Sequence, residues 1–312
     1  MYFPFLRGKQ FELLALRELA ALPLDPEKIS PIIEPVKRDL KSILTAAKTL
    51  TRQKIEIQLI VNPEHGDLKT AKGDVLDFID NLPAHGVTNV VPTFIINSEK
   101  DFVFFKSTIV ERGYDQSGYS VVQLNTITST NELSTLIGKT AAKNVFIQIN
   151  HIFGLKRKYN KEILSYLNDP FVKQKKNADY EQYPDENFSN DYFYFSEEGY
   201  KGFADYLTIG GEYIEGGMLP YAVAIHLTYK DPDSEDIRIC HFLSDSNDGI
   251  EDTAGKFYEA LTKLVKFVNN RDLDSLAIRQ FKDYYERQAF PGLGIIKKLS
   301  IMHHIELVQS LL

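Results

Sequence analysis

The residues of this chain with most to offer chemically are a glutamate inside an apolar run, a few cations close to it, and asparagines that close successive hydrophobic stretches. Glu34 interrupts Ile32-Ile33-Glu34-Pro35-Val36. A carboxylate among apolar neighbours must either be paired or keep its proton to higher pH, and the second condition is that of a general acid or base. Lys9 and Lys37, near the ends of neighbouring runs, offer the pairing charge. The same pair also reads as a buried bridge that fixes strand register. Glu12 lies one turn into the first helix and also reads as favourable charge near that helix's N-terminus. Arg7 joins Lys9 at the end of the first run, and Asn62, Asn97, Asn125 and Asn150 each follow a later one. An amide is both donor and acceptor without charge, so a ring of four could hold a base, sugar or amide; asparagine is also an ordinary terminator of extended chain. Thr208-Ile209-Gly210-Gly211-Glu212, extended by Gly216-Gly217, supplies bare backbone of the kind that binds phosphate, or a plain turn.

Other constellations fail on spacing. Cys240 and His241 are adjacent on an extended run, so their side chains leave opposite faces and do not form a nucleophile–base pair. His303 and His304 diverge by about 100° on a helix and read as surface or packing residues. His65 and His151 read as solvated loop histidines. No dedicated metal spacing, Walker loop, nucleophile elbow or dinucleotide fingerprint occurs, so the sequence names no metal and leaves the cofactor unknown. A single cysteine in 312 residues excludes an intrachain disulfide framework. Hydrophobic residues at 43% and charged residues at 25% are ordinary globular values. Lys+Arg 36 against Asp+Glu 43 gives a net charge of −7, which argues against a surface that coats nucleic acid. No apolar run nears the roughly 20 residues that span a bilayer, and the first residues lack a signal peptide's order, so a cytoplasmic protein with no membrane partner is expected.

The elements that must position these residues alternate between β-rich runs and helical patterns. Strands are predicted over 2–6, 29–36, 55–61, 90–96, 120–124 and 144–149, then over 205–209 and 221–227. Helical patterns fall between them, at 11–20, 40–52, 73–82, 100–112 and 130–137. Eight strands with crossovers of this length predict an α/β (β/α)8 TIM-like barrel, whose ligands meet the C-terminal strand ends. About 250 residues are typical of that fold. The excess falls in an insertion between strands six and seven, about 154–202, and in a hairpin and helical extension over about 229–312, so one domain over 1–312 is expected. The insertion begins basic and turns acidic and aromatic: residues 178–200 carry seven acids and no lysine or arginine. Its aromatics read as a lid, a docking surface, or an extra strand over 192–195 packed on the barrel. Without those residues the remainder is formally neutral, so the overall acidity does not exclude an anionic ligand at the barrel mouth.

The motif Tyr2-x-Pro4-x-Leu6-Arg7-Gly8-Lys9-x-x-Glu12-x-x-Ala15-Leu16, followed by Ile32-Ile33-Glu34-Pro35-Val36, resembles the Beta family, named for a bacteriophage T4 protein. Phe203-Ala204-Asp205-Tyr206-Leu207-Thr208-Ile209-Gly210 is similar to that family's distal motif. The resemblance implies a bacterial or phage protein working in phage conflict or antiviral defence, with a nuclease-like partner, and transfers no catalytic residues. Together the residues support three expectations. The first is a barrel that binds a small polar, phosphorylated or nucleotide-like ligand through Arg7, Lys9, Glu34, Lys37, Gly210, Gly211 and the four asparagines. The second is a metal-independent hydrolase or lyase with Glu34 as general acid/base tuned by Lys9. The third is a non-catalytic interaction scaffold.

Overall fold

The computed structural model describes residues 1–216 and 220–312. Strand β1 (Tyr2–Leu6) precedes helix α1 (Gln10–Leu19), β2 (Ile32–Ile33) precedes α2 (Lys41–Arg52), and β3 (Ile57–Ile60) precedes α3 (Lys72–Asn81). After β4 (Val90–Ile96) come α4 (Glu99–Glu111) and the short α5 (Tyr114–Ser117); after β5 (Tyr119–Gln123) comes α6 (Thr130–Ile137). Next are β6 (Ala142–Gln148) with the short α7 (Ile152–Leu155), β7 (Leu164–Asn168), β8 (Asp185–Ser189), the short α8 (Asp191–Tyr194) and β9 (Gly202–Asp205). The chain continues with β10 (Ala224–Lys230), β11 (Ile237–Leu243), α9 (Thr253–Asn270), α10 (Leu276–Glu286) and α11 (Leu293–Leu311).

Strands β1 to β7 and β9 close into a parallel eight-stranded barrel with helices between them, as the alternation of runs predicts. The ring shuts where Tyr2, Phe3 and Pro4 pair with Phe203, Ala204 and Asp205. Gly202 permits that closure, because a Cβ there would lie 2.2 Å from the Met1 carbonyl oxygen and 2.8 Å from the Phe3 ring.

Three strands differ from the sequence expectation. The one predicted over 205–209 is displaced to β9, which ends at Asp205, because Leu207–Ile209 turn into a 3-10 helix that leads to Gly210. The seventh is β7, inside the segment expected to be an insertion; Leu164 and Tyr166 pack outward under the helices while Leu167 packs inward. The predicted strand over 221–227 lies outside the barrel. Its place is β10, which pairs antiparallel with β11, and β11 pairs with β8 in a three-stranded sheet. The excursion from the barrel therefore runs over 169–201, between β7 and β9. The aromatic stretch expected as a strand forms α8 instead, with Tyr192 buried and Phe193 and Tyr194 exposed.

Inside the barrel, alternate residues form an apolar plug from Phe3, Phe5, Ile32, Ile60, Ile95, Val122, Phe146, Leu167 and Ala204. Phe3 meets Phe146 edge-on at 4.7 Å, a favoured aromatic geometry that fills the centre. Below the plug, at the N-terminal end, lies a polar floor of neutral side chains, which Glu56 and Lys201 meet at its edge. Gln58 donates to Ser30 at 3.1 Å and accepts from Ser120 at 2.7 Å, and Asn144 donates to Ser120 at 3.1 Å. Lys201 closes the network by donating to the Asn144 carbonyl oxygen at 2.7 Å. A second cluster runs outside the strands from Tyr2 to Val308 and joins the barrel to the added sheet and the C-terminal helices. Within it His303 and His304 are packing residues, 4% and 1% exposed. His304 bridges Thr228 Oγ1 at 3.0 Å and Asp205 at 3.3 Å. No helix among the described residues is long and apolar enough to cross a membrane.

Candidate functional site at the barrel mouth

Strand alternation carries polar residues to the C-terminal rim above the plug. Arg7 continues the inward series Phe3, Phe5 and is only 4% exposed. Its guanidinium lies 5.0 Å over the ring of Tyr206, Nη1 donates to the Gly210 carbonyl at 3.4 Å, and Nη2 donates to the Gly211 carbonyl. Its Nε–H faces Glu34 at 3.7 Å and has no hydrogen-bond partner among the described residues.

Glu34 follows the inward Ile32 and is 1% exposed. Its carboxylate accepts from the backbone N–H of Glu64 at 2.8 Å and of His65 at 3.2 Å, and from His65 Nδ1 at 3.0 Å. The charges expected to pair with it go elsewhere. Lys9 donates to the Ile214 carbonyl at 2.6 Å, and Lys37 is an exposed residue joined to Glu215 at 2.5 Å, which raises the Lys37 pKa. Arg7 and His65 take their place. His65, expected to be solvated, is only half-exposed. A carboxylate can only accept, so His65 carries a proton on Nδ1 and donates it to Glu34.

The four asparagines do not converge. Asn62 is 2% exposed and clamps β4, donating to the Ile95 carbonyl at 2.8 Å and accepting from the Ile95 N–H at 2.9 Å. That replaces a rung of the sheet. Asn97 donates to Glu64 at 2.7 Å, Asn125 caps its own loop by accepting from Thr126 at 3.0 Å, and Asn150 is exposed past the end of β6. Gly210 and Gly211 turn carbonyls rather than amides toward Arg7, and the Gly211 N–H is donated to Asp169 at 2.9 Å. Gly217 lies outside the described residues.

A cleft of about 530 Å³ opens beside Arg7, between the start of α1, the 209–216 segment and the start of α11. Gly294 brings α11 against α1: a Cβ there would sit 1.9 Å from the Phe11 ring. Arg7, Lys9, Lys37, Lys173 and Lys297 line the cleft with Glu12, Glu212 and Glu215. Glu212 pairs with Lys173 at 2.7 Å and Glu215 with Lys37, while Glu12 is spent on the N–H of Arg7 at 2.6 Å. Burial lowers the Lys9 pKa, and Lys297 and Arg7 lower it further, against the opposing pull of Glu12 and Glu215. Lys9 also lies 4.5 Å over the ring of Tyr213, whose other neighbour is the His65 ring at 4.8 Å. The Tyr213 hydroxyl is buried with no partner among the described residues.

On the inner side the rim is acidic. Burial raises the pKa of Glu64, with Glu34 and Asp101 adding to it and the Asn97 amide opposing. Burial likewise raises Asp169, against the Gly211 N–H and Arg7. His65, Glu64, Asp169, Tyr206, Tyr213 and Lys297 were not among the sequence candidates. Asp169 had a signal in the alternation Ser165, Leu167, Asp169, which carries on one residue past the end of β7. Among the described residues no cluster of three metal-ligating side chains occurs. No protein-family model, curated protein or solved structure matches the chain.

Proposed function

We propose that the barrel binds a small anionic ligand, phosphorylated or nucleotide-like, in the cleft beside Arg7. The observation that carries this reading is the excess of positive charge in that cleft. Its surface carboxylates are each matched to a lysine, its buried one is used by backbone, and Lys297 and Arg7 both act against the charge of Lys9. A bound anion relieves that repulsion and is held in a partly desolvated setting where charge-assisted hydrogen bonds are strongest. Calorimetric titration with inorganic pyrophosphate and adenosine monophosphate tests it. Binding is expected, weakened roughly tenfold or more in Lys9→Met, as for loss of a hydrogen bond to a charged group. No binding of either probe, or equal binding by Lys9→Met, overturns it.

The contact between Glu34 and His65 favours a second reading, a metal-independent hydrolase or lyase. Glu34 then positions the imidazole, and His65 Nε2 moves the proton. Product formation in the same mixtures supports this; binding without turnover of any probe counts against it. A role in phage defence with a nuclease-like partner rests on the resemblance of the N-terminal motifs and the 203–210 segment alone. Phage plating on cells carrying the wild-type or Lys9→Met chain reads it, and equal plating to cells lacking the gene would sink it.

A further inference from the structure

A second cavity, of about 330 Å³, lies between the start of α11, the chain after β7 and the added sheet. It shares Lys173, Ile209, Leu293 and Lys297 with the cleft at the mouth. Its distinguishing wall residue is His226 on β10. His226 pairs directly across the ladder with His241 on β11, and the two Nδ1 atoms are 2.6 Å apart. The other nitrogen of His241, Nε2, lies 3.1 Å from Glu186 on β8. The His241 side chain is 1% exposed.

These contacts fix where each proton sits. The Glu186 carboxylate accepts, so His241 carries its proton on Nε2. Its Nδ1 is then a lone pair, and the short Nδ1–Nδ1 contact requires His226 to donate from Nδ1. His226 Nε2 is left unprotonated, with no hydrogen-bond partner among the described residues. We infer that Glu186, His241 and His226 form a relay that presents a neutral imidazole acceptor to this cavity, and that the cavity takes a small anion bearing a hydroxyl. The hydroxyl donates to His226 Nε2, and the negative charge lies toward Lys173 and Lys297.

The surroundings agree. The groups facing His226 are the rings of Phe171 at 5.1 Å and Tyr180 at 4.8 Å, the His241 ring, and the cations Lys173 and Lys297; Asp185 and Glu186 lie behind His241. Burial pushes His226 well below the ordinary imidazole value, with His241 and Lys297 adding to it, and burial takes His241 down to about 4 against the pull of Asp185. Both rings therefore stay neutral at pH 7. Thr208 Oγ1, also in the cavity wall, is buried without a partner among the described residues and supplies a further polar contact. The inference does not rest on ligand binding at the mouth.

Inorganic phosphate and sulfate test it as a pair, because monohydrogen phosphate has a hydroxyl to donate and sulfate has none. Long-range ¹H–¹⁵N spectra of the full chain at pH 7 are expected to find His226 protonated on Nδ1 and His241 on Nε2. Phosphate should move the His226 Nε2 resonance saturably, with affinity at least about tenfold above sulfate's, the discrimination expected of one hydrogen bond to a charged ligand. Glu186→Ala removes the acceptor that sets the relay, so the preference should fall several-fold while the spectrum stays that of a folded chain. Lys9→Met should leave the His226 titration unchanged, which separates this site from the mouth. A resting His226 protonated on Nε2, sulfate binding as tight as phosphate, or no shift of His226 with phosphate overturns the inference.

Discussion

The two ends of the barrel hold polar groups in opposite ways. At the N-terminal floor, Gln58, Ser120 and Asn144 are uncharged, close to fully buried and bonded to one another. The charged groups of Lys201 and Glu56 are joined at the side, and one neutral hydroxyl, Ser165 Oγ, is left without a partner among the described residues. At the C-terminal mouth the groups are charged and their partners are unevenly shared: Glu34 accepts from three donors while Arg7 Nε–H finds no acceptor among the described residues. A satisfied neutral network specifies a packing and asks for nothing more. An uneven charged one costs stability and is retained where a ligand completes it. Polarity at a strand end is thus a weak sign of function, and the imbalance of donors and acceptors is a better one.

The largest way to strain that contrast is Glu34→Ala. It strips the acceptor from the N–H groups of Glu64 and His65 and leaves the buried Arg7 without its carboxylate neighbour. Breaking a buried pair from one side costs about 3–5 kcal/mol, measured as the shift in urea unfolding free energy. A cost below about 1 kcal/mol would mean that Glu34 does not organise the mouth.

A smaller effect comes from His303, which is satisfied in the manner of the floor although it lies between helices and sheet. Nε2 donates to the Thr228 carbonyl at 2.7 Å and Nδ1 accepts from Ser275 at 2.9 Å, a neutral ring with both nitrogens used. Burial lowers its pKa to about 4, with His304 adding and the Thr228 bond opposing. The unfolded chain takes up this proton near pH 6.5 and the folded chain only near 4, so stability is full above about 6.5 and falls as pH drops through that window. The loss attributable to this ring is on the order of 3 kcal/mol. It is read as the difference in pH dependence of unfolding between the wild type and His303→Gln; parallel profiles would remove His303 from the acid response.

The first six strands and the main helices were legible because each carries its own periodicity. Barrel closure was harder to read, since β7 is a five-residue run, Leu-Ser-Tyr-Leu-Asn, interrupted by Ser165 and ended by Asn168, while the more apolar 221–227 stretch resembles a barrel strand better than the true one does. Apolarity was a poor guide there because β10 is buried by helices and sheet instead of by barrel neighbours. At the mouth, Arg7, Lys9 and Glu34 were found because they follow inward-facing residues of strands that were correctly placed. Missing β7 hid Asp169. His65 and the relay of Glu186, His241 and His226 were hidden for another reason: their partners lie 31, 55 and 15 residues away, and adjacency in sequence says nothing about such pairs. The rejected pair Cys240 and His241 illustrates it. The two do leave opposite faces, yet His241 finds its partners across the sheet.

The smallest effect separates the two ends most cleanly. Asn144→Ala removes a donor from Ser120 and Gln58 and an acceptor from Lys201, which then keeps only the Lys143 carbonyl at 3.1 Å. Burial already lowers the Lys201 pKa, so an ammonium with fewer acceptors is held at some cost. Leaving such groups unmatched costs about 1–3 kcal/mol, less than at Glu34 because the remaining groups are neutral or partly solvated. The apolar plug separates this floor from the mouth, so an Asn144→Ala chain should unfold at lower urea and still bind pyrophosphate within about twofold of the wild type, a difference well inside the 1.4 kcal/mol of a tenfold change. Lys9→Met reverses the pattern, with affinity lost and unfolding within about 0.5 kcal/mol of the wild type, as for other partly exposed substitutions. If instead Asn144→Ala weakened the ligand as much as Lys9→Met does, the plug would be transmitting strain from one end to the other, and the division between a structural floor and a binding mouth would fall.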